Sequence, residues 1–234
     1  MRQIILDTET TGLDARQGHR IIEVAAVEMH NRKLTGNHFH RYINPDRDID
    51  EGAMQVHGIT RDFLQDKPRF ADISTEFVEF IRNAELIIHN AAFDVGFINA
   101  EFGLLGLPAL DALTSNVVDT LSMARALHPG QRNNLDALCK RYGVDNANRT
   151  LHGALIDCEL LAQVYLAMTR GQESLIMDAD REHAISQIQS TAQLRPRPIL
   201  CHATEIEIET HESVLKSIAQ ESKGACLWLK AEVS

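Results

Sequence analysis

The sequence predicts an α/β fold, a sheet flanked by helices, followed by a flexible linker and a lone C-terminal helix. Three observations carry that expectation. Three β-rich runs follow one another at the start of the chain; the apolar spacing then alternates between a helical period and short continuous runs; and the stretch 172–198 loses periodicity altogether.

Taken in order, Ile4, Ile5 and Leu6 form an apolar run that reads as a buried strand, closed by the turn chemistry of Thr10-Thr11-Gly12. Asp7 and Glu9 fall where that run stops, at the strand's exit. Residues two apart on an extended chain point to the same side, so the two carboxylates can converge on one centre, as a divalent cation would need. Taken alone, an Asp-x-Glu is more often a polar strand end that caps the next turn. Arg20 to His30 reads as a second strand, Asn31 to Lys33 as a turn, and Leu34 to Ile43 as a third strand, which makes a meander. Asp48 to Lys67 carries one or two short helices. From Ile73 the spacing of Phe77, Val78, Phe80 and Ile81 is helical, and Glu85 to His89 is again strand-like.

Asn90 is placed to cap a helix through Phe93, Phe97, Ile98 and Phe102, with Asp94 in its first turn. Asn116 to Asp119 reads as a strand, Thr120 to Leu127 and Asn134 to Tyr142 as helices, and Ala154 to Met168 as the amphipathic helix that closes the core. Gly171 ends it. The domain boundaries that follow are 1–171 for the core, 172–198 for a linker closing in Arg-Pro-Arg-Pro, and 199–234 for a terminal segment. There, Thr204 and Glu207 form a capping box for a helix with Ile208, His211, Leu215 and Ile218 on one face, ended by Lys223-Gly224.

With 33 Asp plus Glu against 23 Lys plus Arg, the formal charge is −10, so the surface as a whole should repel nucleic acid and anionic membranes. Any polyanion must be handled locally. Cys139, Cys158, Cys201 and Cys226 lie far apart with no Cys-x-x-Cys, which argues against zinc and a disulfide framework and fits a reducing cytoplasm. No apolar run has the length of a signal peptide's core or of a membrane span.

Candidate acids stand at three places: Asp7 and Glu9, Asp94, and Asp157. Each follows or opens a regular element, and elements that start and stop at one sheet end can gather such residues. Carboxylates so gathered repel one another unless cations sit among them, and hard oxygen donors favour Mg²⁺ or Mn²⁺. A two-metal centre for phosphodiester hydrolysis is the hypothesis that follows. His152 lies five residues before Asp157, a separation of about 140° on one helix, so the two should not share it. On a loop with Gly153, its imidazole can swing toward the same centre and accept a proton. A plain surface histidine is the alternative.

Asp7-Thr8-Glu9-Thr10-Thr11-Gly12, His89-Asn90-Ala91-Ala92-Phe93-Asp94 and His152-Gly153-Ala154-Leu155-Ile156-Asp157 resemble, in order, the three motifs of the DEDD exonucleases with a histidine in the third motif. With Val56-His57-Gly58-Ile59 and Asn134 to Cys139, the likeness is to the proofreading subunits of bacterial replicative DNA polymerases. That resemblance implies an RNase H-like mixed sheet and 3′-to-5′ removal of nucleotides from a primer end, single-stranded or frayed. It implies that Asp7, Glu9, Asp94 and Asp157 hold two divalent cations and that His152 is the general base. Thr10, Leu13 and His57 would contact the terminal nucleotide; by themselves, Leu13 could pack under its turn and His57 could cap a helix.

Gln172-Glu173-Ser174-Leu175-Ile176 resembles a short sliding-clamp-binding motif, in which Gln172 and Leu175 fill pockets, although it is also a plain linker start. The segment from about 199, with the lone Trp228, resembles the part that docks on the polymerase catalytic subunit; a small accessory subunit on the exonuclease domain is a further implied partner. Tethering would raise the local concentration of the site at a primer end that so acidic a chain binds weakly. Two other readings are an RNA-trimming exonuclease of the same superfamily, disfavoured by the long tail, and a non-catalytic polymerase–clamp scaffold, disfavoured because all five motif residues are present.

Overall fold

The three opening runs form β1 (Arg2–Thr10), β2 (Ile21–His30) and β3 (Lys33–Tyr42) in a computed structural model that describes residues 1–147, 149, 151–170 and 203–222. Asn31 and Arg32 both take positive φ, 48° and 62°, the backbone that a two-residue hairpin turn demands if its twist is to match the strands. Two short helices, α1 (Glu51–His57) and α2 (Arg61–Leu64), follow. The chain then alternates through α3 (Phe70–Ile81), β4 (Glu85–Ile88), α4 (Ala91–Leu104), β5 (Asn116–Asp119), α5 (Thr120–Leu127), α6 (Leu135–Tyr142) and α7 (Ala154–Met168). The five strands lie in the order β3-β2-β1-β4-β5, antiparallel among the first three and parallel from β1 through β4 to β5. This is the expected mixed sheet.

Strand periodicity divides the core into two layers. Ile4 and Leu6 pack with Phe77, Phe97 and Phe102 of α3 and α4 on one face, while Ile5 packs with Leu138, Leu161 and Val164 of α6 and α7 on the other. All four residues of β4 are buried, as an internal parallel strand covered by helices on both faces requires.

Three expectations need correction. β1 does not end at Leu6 but runs through Thr10, so Asp7 and Glu9 sit within the strand, paired with Ala25 and Glu23 of β2, and the irregularity falls only between Glu9 and Thr10. Ladder pairing with β2 outweighs the local turn chemistry. Asn90 does not cap α4 with its side chain: it stands in the left-handed region at φ 66°, and Asp119 Oδ1 accepts the N–H groups of Asn90 and Ala91 instead. α3 starts at Phe70 rather than Ile73, because Arg69 and Asp72 close a capping box there.

The chain divides into two units, Met1–Asp178 and Ala179–Ser234. In the second, α8 (Glu205–Glu221) carries the expected capping box of Thr204 and Glu207, and Ile206, Ile208, Val214 and Ile218 are exposed. The linker 172–198, with Gln172 and Leu175, the Lys223-Gly224 stop and Trp228 lie outside the described residues. Among the described residues no helix is long and apolar enough to cross a membrane.

Candidate active site

The site begins with the alternation of β1. Asp7 and Glu9 share a face with Ile5, while Thr8 points to the opposite face, where its hydroxyl donates to Asp94 Oδ1 at 2.7 Å. Asp94 sits in the first turn of α4 and is 3% exposed. Because β1 and β4 are parallel, with Ile5 beside Ile87, the exit of β4 into α4 lies at the same sheet edge as the two acids. Asp119 fixes that exit by accepting from the first N–H groups of both α4 and α5.

The third segment arrives from α7. Glu23 of β2, 2% exposed and opposite Glu9, accepts the Ala154 N–H through Oε2 at 3.3 Å and so caps the helix that carries Asp157. His152 precedes this helix, its N–H donating to the Val56 carbonyl at 3.2 Å, and its Nδ1 lies 3.5 Å from Asp157 Oδ2. One ligand atom each from Glu9, His152 and Asp157 fall within 4.8 Å of one another. Asp7 and Asp94 lie outside that group of three, but their charges act on it, Asp7 with Glu9 and Asp157 and Asp94 with Glu9.

Arg149 was not anticipated. Its Nε and one terminal nitrogen donate to the two oxygens of Asp157 at 2.5 and 2.6 Å, its other terminal nitrogen donates to Asp136 at 2.7 Å, and its contact with His152 Nδ1 is 2.9 Å. Nothing in the spacing of a lone arginine in a loop marks it for this role. Glu23 was missed because it sits in the run Arg20 to His30, read only as a strand.

Burial pushes the Asp7 carboxyl well above the ordinary range, with the charges of Asp94 and Glu9 adding to it. Glu9 is pushed up to about 8 by burial and then by Glu23, Asp157 and Asp94. Burial also lifts Asp94 to about 7, against the opposing bond from Thr8. Burial pushes Asp157 the same way, but the hydrogen bonds and charge of Arg149 outweigh it and hold that carboxyl below the usual value. Carboxyls crowded until they resist ionising, offering oxygen and imidazole donors with no thiolate in the group, are a fitting donor set for hard divalent cations.

Beside the acids opens a cavity of about 460 Å³ lined by Glu9, Thr10, Leu13, Val56, His57 and Phe93 among others. Leu13 is 85% exposed, so it does not pack under its turn. His57 ends α1; its Nδ1 accepts the Ile59 N–H at 3.0 Å, which leaves the hydrogen on Nε2, a buried atom that faces the Thr10 backbone. Thr10 donates its hydroxyl to the Gly12 carbonyl at 2.7 Å, closing the turn at the cavity's rim. Gly12 itself is required by proximity: any Cβ there would overlap the ring of His19.

The family model described as exonuclease, of the RNase T type, matches residues 4–165. The chain is 50% identical over 237 residues to the DNA polymerase III subunit epsilon of Salmonella typhimurium, and equally to that of Escherichia coli, covering 97% of this chain and 97% of each relative. Among solved structures, exonuclease X in complex with 5′ overhanging duplex DNA is 28% identical with a TM-score of 0.57, covering 72% of this chain and 92% of that one.

Proposed function

The chain belongs to the exonuclease family, among the epsilon subunits of DNA polymerase III, and from that membership we propose a proofreading 3′-to-5′ deoxyribonuclease that hydrolyses the terminal phosphodiester of a primer strand. The observation that carries the reading is the convergence of Glu9, His152 and Asp157, with the charges of Asp7 and Asp94 acting on them, beside a cavity that Glu9 lines and that has room for one nucleoside. Asp7, Glu9, Asp94 and Asp157 would hold two divalent cations, Mg²⁺ or Mn²⁺. When bound, such a pair would neutralise the scissile phosphate and lower the pKa of the attacking water, so that it can give up a proton near neutral pH.

The chain's own residues do the rest. His152, on its loop and free of the helix, takes the proton from the attacking water. Arg149 holds both oxygens of Asp157 and fixes that carboxylate's orientation, leaving each oxygen a second lone pair for a cation. Leu13 offers an apolar surface to the terminal base, His57 lines the same cavity beside the nucleotide, and Thr10 fixes the turn between them.

The core 1–171 is the exonuclease domain in this reading, 172–198 is a tether with a clamp-binding motif at Gln172 and Leu175, and 199–234 engages the polymerase catalytic subunit. The exposed isoleucines and valine of α8 support a partner-binding role, and Trp228 is assigned to the same role. A small accessory subunit on the core is a further partner, and the site of action is the cytoplasm, where a bacterial chromosome is copied.

A primer–template pair tests the function. With Mg²⁺, a terminal mismatch should be trimmed about tenfold or more faster than a paired end, because a frayed end saves the stacking energy of the last base pair. Equal rates on both ends would contradict proofreading.

A further inference from the structure

A second cavity, of about 570 Å³, opens at the same sheet edge as the acids, lined by Arg125, Arg132, Asn90, Gln131, Asn133 and Asn134 among others. We infer that this groove is a subsite for a backbone phosphate of the substrate strand, one or two nucleotides upstream of the bond that is cut. The inference rests on the nuclease reading of the neighbouring site and adds to it the path of the strand.

Position comes first. β5 is parallel to β4, with Ile88 beside Asp119, so α4 and α5 both leave the sheet at the edge where Asp7 and Glu9 lie. The groove sits between those two helices and the loop before α6, one to two strand spacings from the acids, or roughly 5–10 Å. The nucleoside-sized cavity shares no lining residue with the groove and is bounded by Glu9 and Thr10 at the end of β1 and by residues of α1. A strand with its last nucleoside in one cavity and its scissile phosphate over the carboxylates therefore has this groove for its next linkages.

Chemistry comes second. The groove presents guanidinium and amide donors, and both arginines are exposed. Arg2, Arg20, Arg41 and Arg149 each meet a carboxylate, whereas among the described residues Arg125 and Arg132 have no hydrogen-bond or ion-pair partner for their guanidinium groups. The nearest strand-end acid, Asp119, already accepts from Asn90, Ala91, Leu121 and Ser122. On a chain of net charge −10, two uncommitted cations in one groove beside a nuclease centre are a local answer to a polyanion.

The groove is also built. Asn133, 7% exposed, donates to the carbonyls of His128 and Gln131, while Arg141 clamps Asn133 Oδ1 at 2.9 Å and the Arg132 carbonyl at 2.8 Å. Asn134 caps α6 by accepting from Ala137. The backbone carrying Arg132 is thus held in place, and only the arginine side chains move to meet a ligand.

The test compares the full-length protein with R125Q, R132Q and the double variant on two substrates. One is a single-stranded oligonucleotide; the other is the p-nitrophenyl ester of thymidine 5′-monophosphate, which has no upstream phosphate. The double variant should raise KM for the oligonucleotide about tenfold or more and flatten the salt dependence of kcat/KM by about one in logarithmic slope, with ester hydrolysis unchanged. A neutral methylphosphonate at the second or third linkage should weaken the wild type and leave the double variant unaffected. Equal losses on both substrates would make the arginines structural, an unchanged oligonucleotide KM would mean that the groove serves another anion such as a partner's acidic face, and either result overturns the inference. In both cases the wild type still cleaves the ester; a wild type that cleaves neither substrate would instead bring down the nuclease reading itself, and this inference with it.

Discussion

Replacing His152 with alanine lowers kcat on single-stranded DNA by about 10²- to 10⁴-fold, the range expected when a positioned general base is removed. The geometry makes this a clean experiment. The side chain is 45% exposed on a loop whose backbone is pinned to Val56, so its loss opens no core cavity and should leave the melting temperature nearly unchanged. Its proximity to Glu9 and Asp157 also makes the imidazole a potential metal ligand, and the two roles separate by titration. A base leaves Mn²⁺ affinity within about twofold when removed, while a ligand weakens it by about tenfold or more. An unchanged kcat would take His152 out of the chemistry.

The second large effect is at Glu9. Changing it to glutamine should cost about 10³-fold in rate, since one donor to the cation pair is worth several kcal/mol in the transition state. The same change should stabilise the metal-free protein. Glu9 ionises near its ordinary 4.5 in the unfolded chain but only at about 8 when folded. Between those pH values the folded state binds the extra proton, so metal-free stability falls as pH rises from about 4.5 to about 8, and cations that bind the ionised carboxylate restore it. E9Q removes the titration, so its metal-free melting temperature should decline less over that window while its activity is lost. A mutant that is both inactive and less stable at pH 8 would show that Glu9 is there to hold the strand.

Much of the fold is legible in single residues. The alternation of Ile4, Ile5 and Leu6 between two helical layers, the caps at Asn134 and Thr204, and the glycine stop at Gly143 are local rules, and the structure follows them. The order of strands and helices follows the switch in apolar period. What escaped depends on partners far away in sequence. β1 reaches Thr10 because β2 pairs with it, and α4 is capped by Asp119, 28 residues beyond Ala91. At the site, the acids stood out because they interrupt apolar runs. Arg149 and Glu23 did not, since one is a cation in a polar loop and the other an acid inside a run read simply as a strand, and only their contacts with Asp157 and Ala154 give them meaning.

Acids gathered at one sheet edge make this chain a metal-dependent 3′-to-5′ nuclease, and one digestion addresses that directly. A single-stranded oligonucleotide labelled at its 5′ end is incubated with the full-length protein and Mg²⁺, and the products are resolved by length. The expected product is a ladder that shortens one nucleotide at a time from the 3′ end and is abolished by EDTA. Immediate release of the labelled 5′ nucleotide, or a ladder that persists in EDTA, would contradict it.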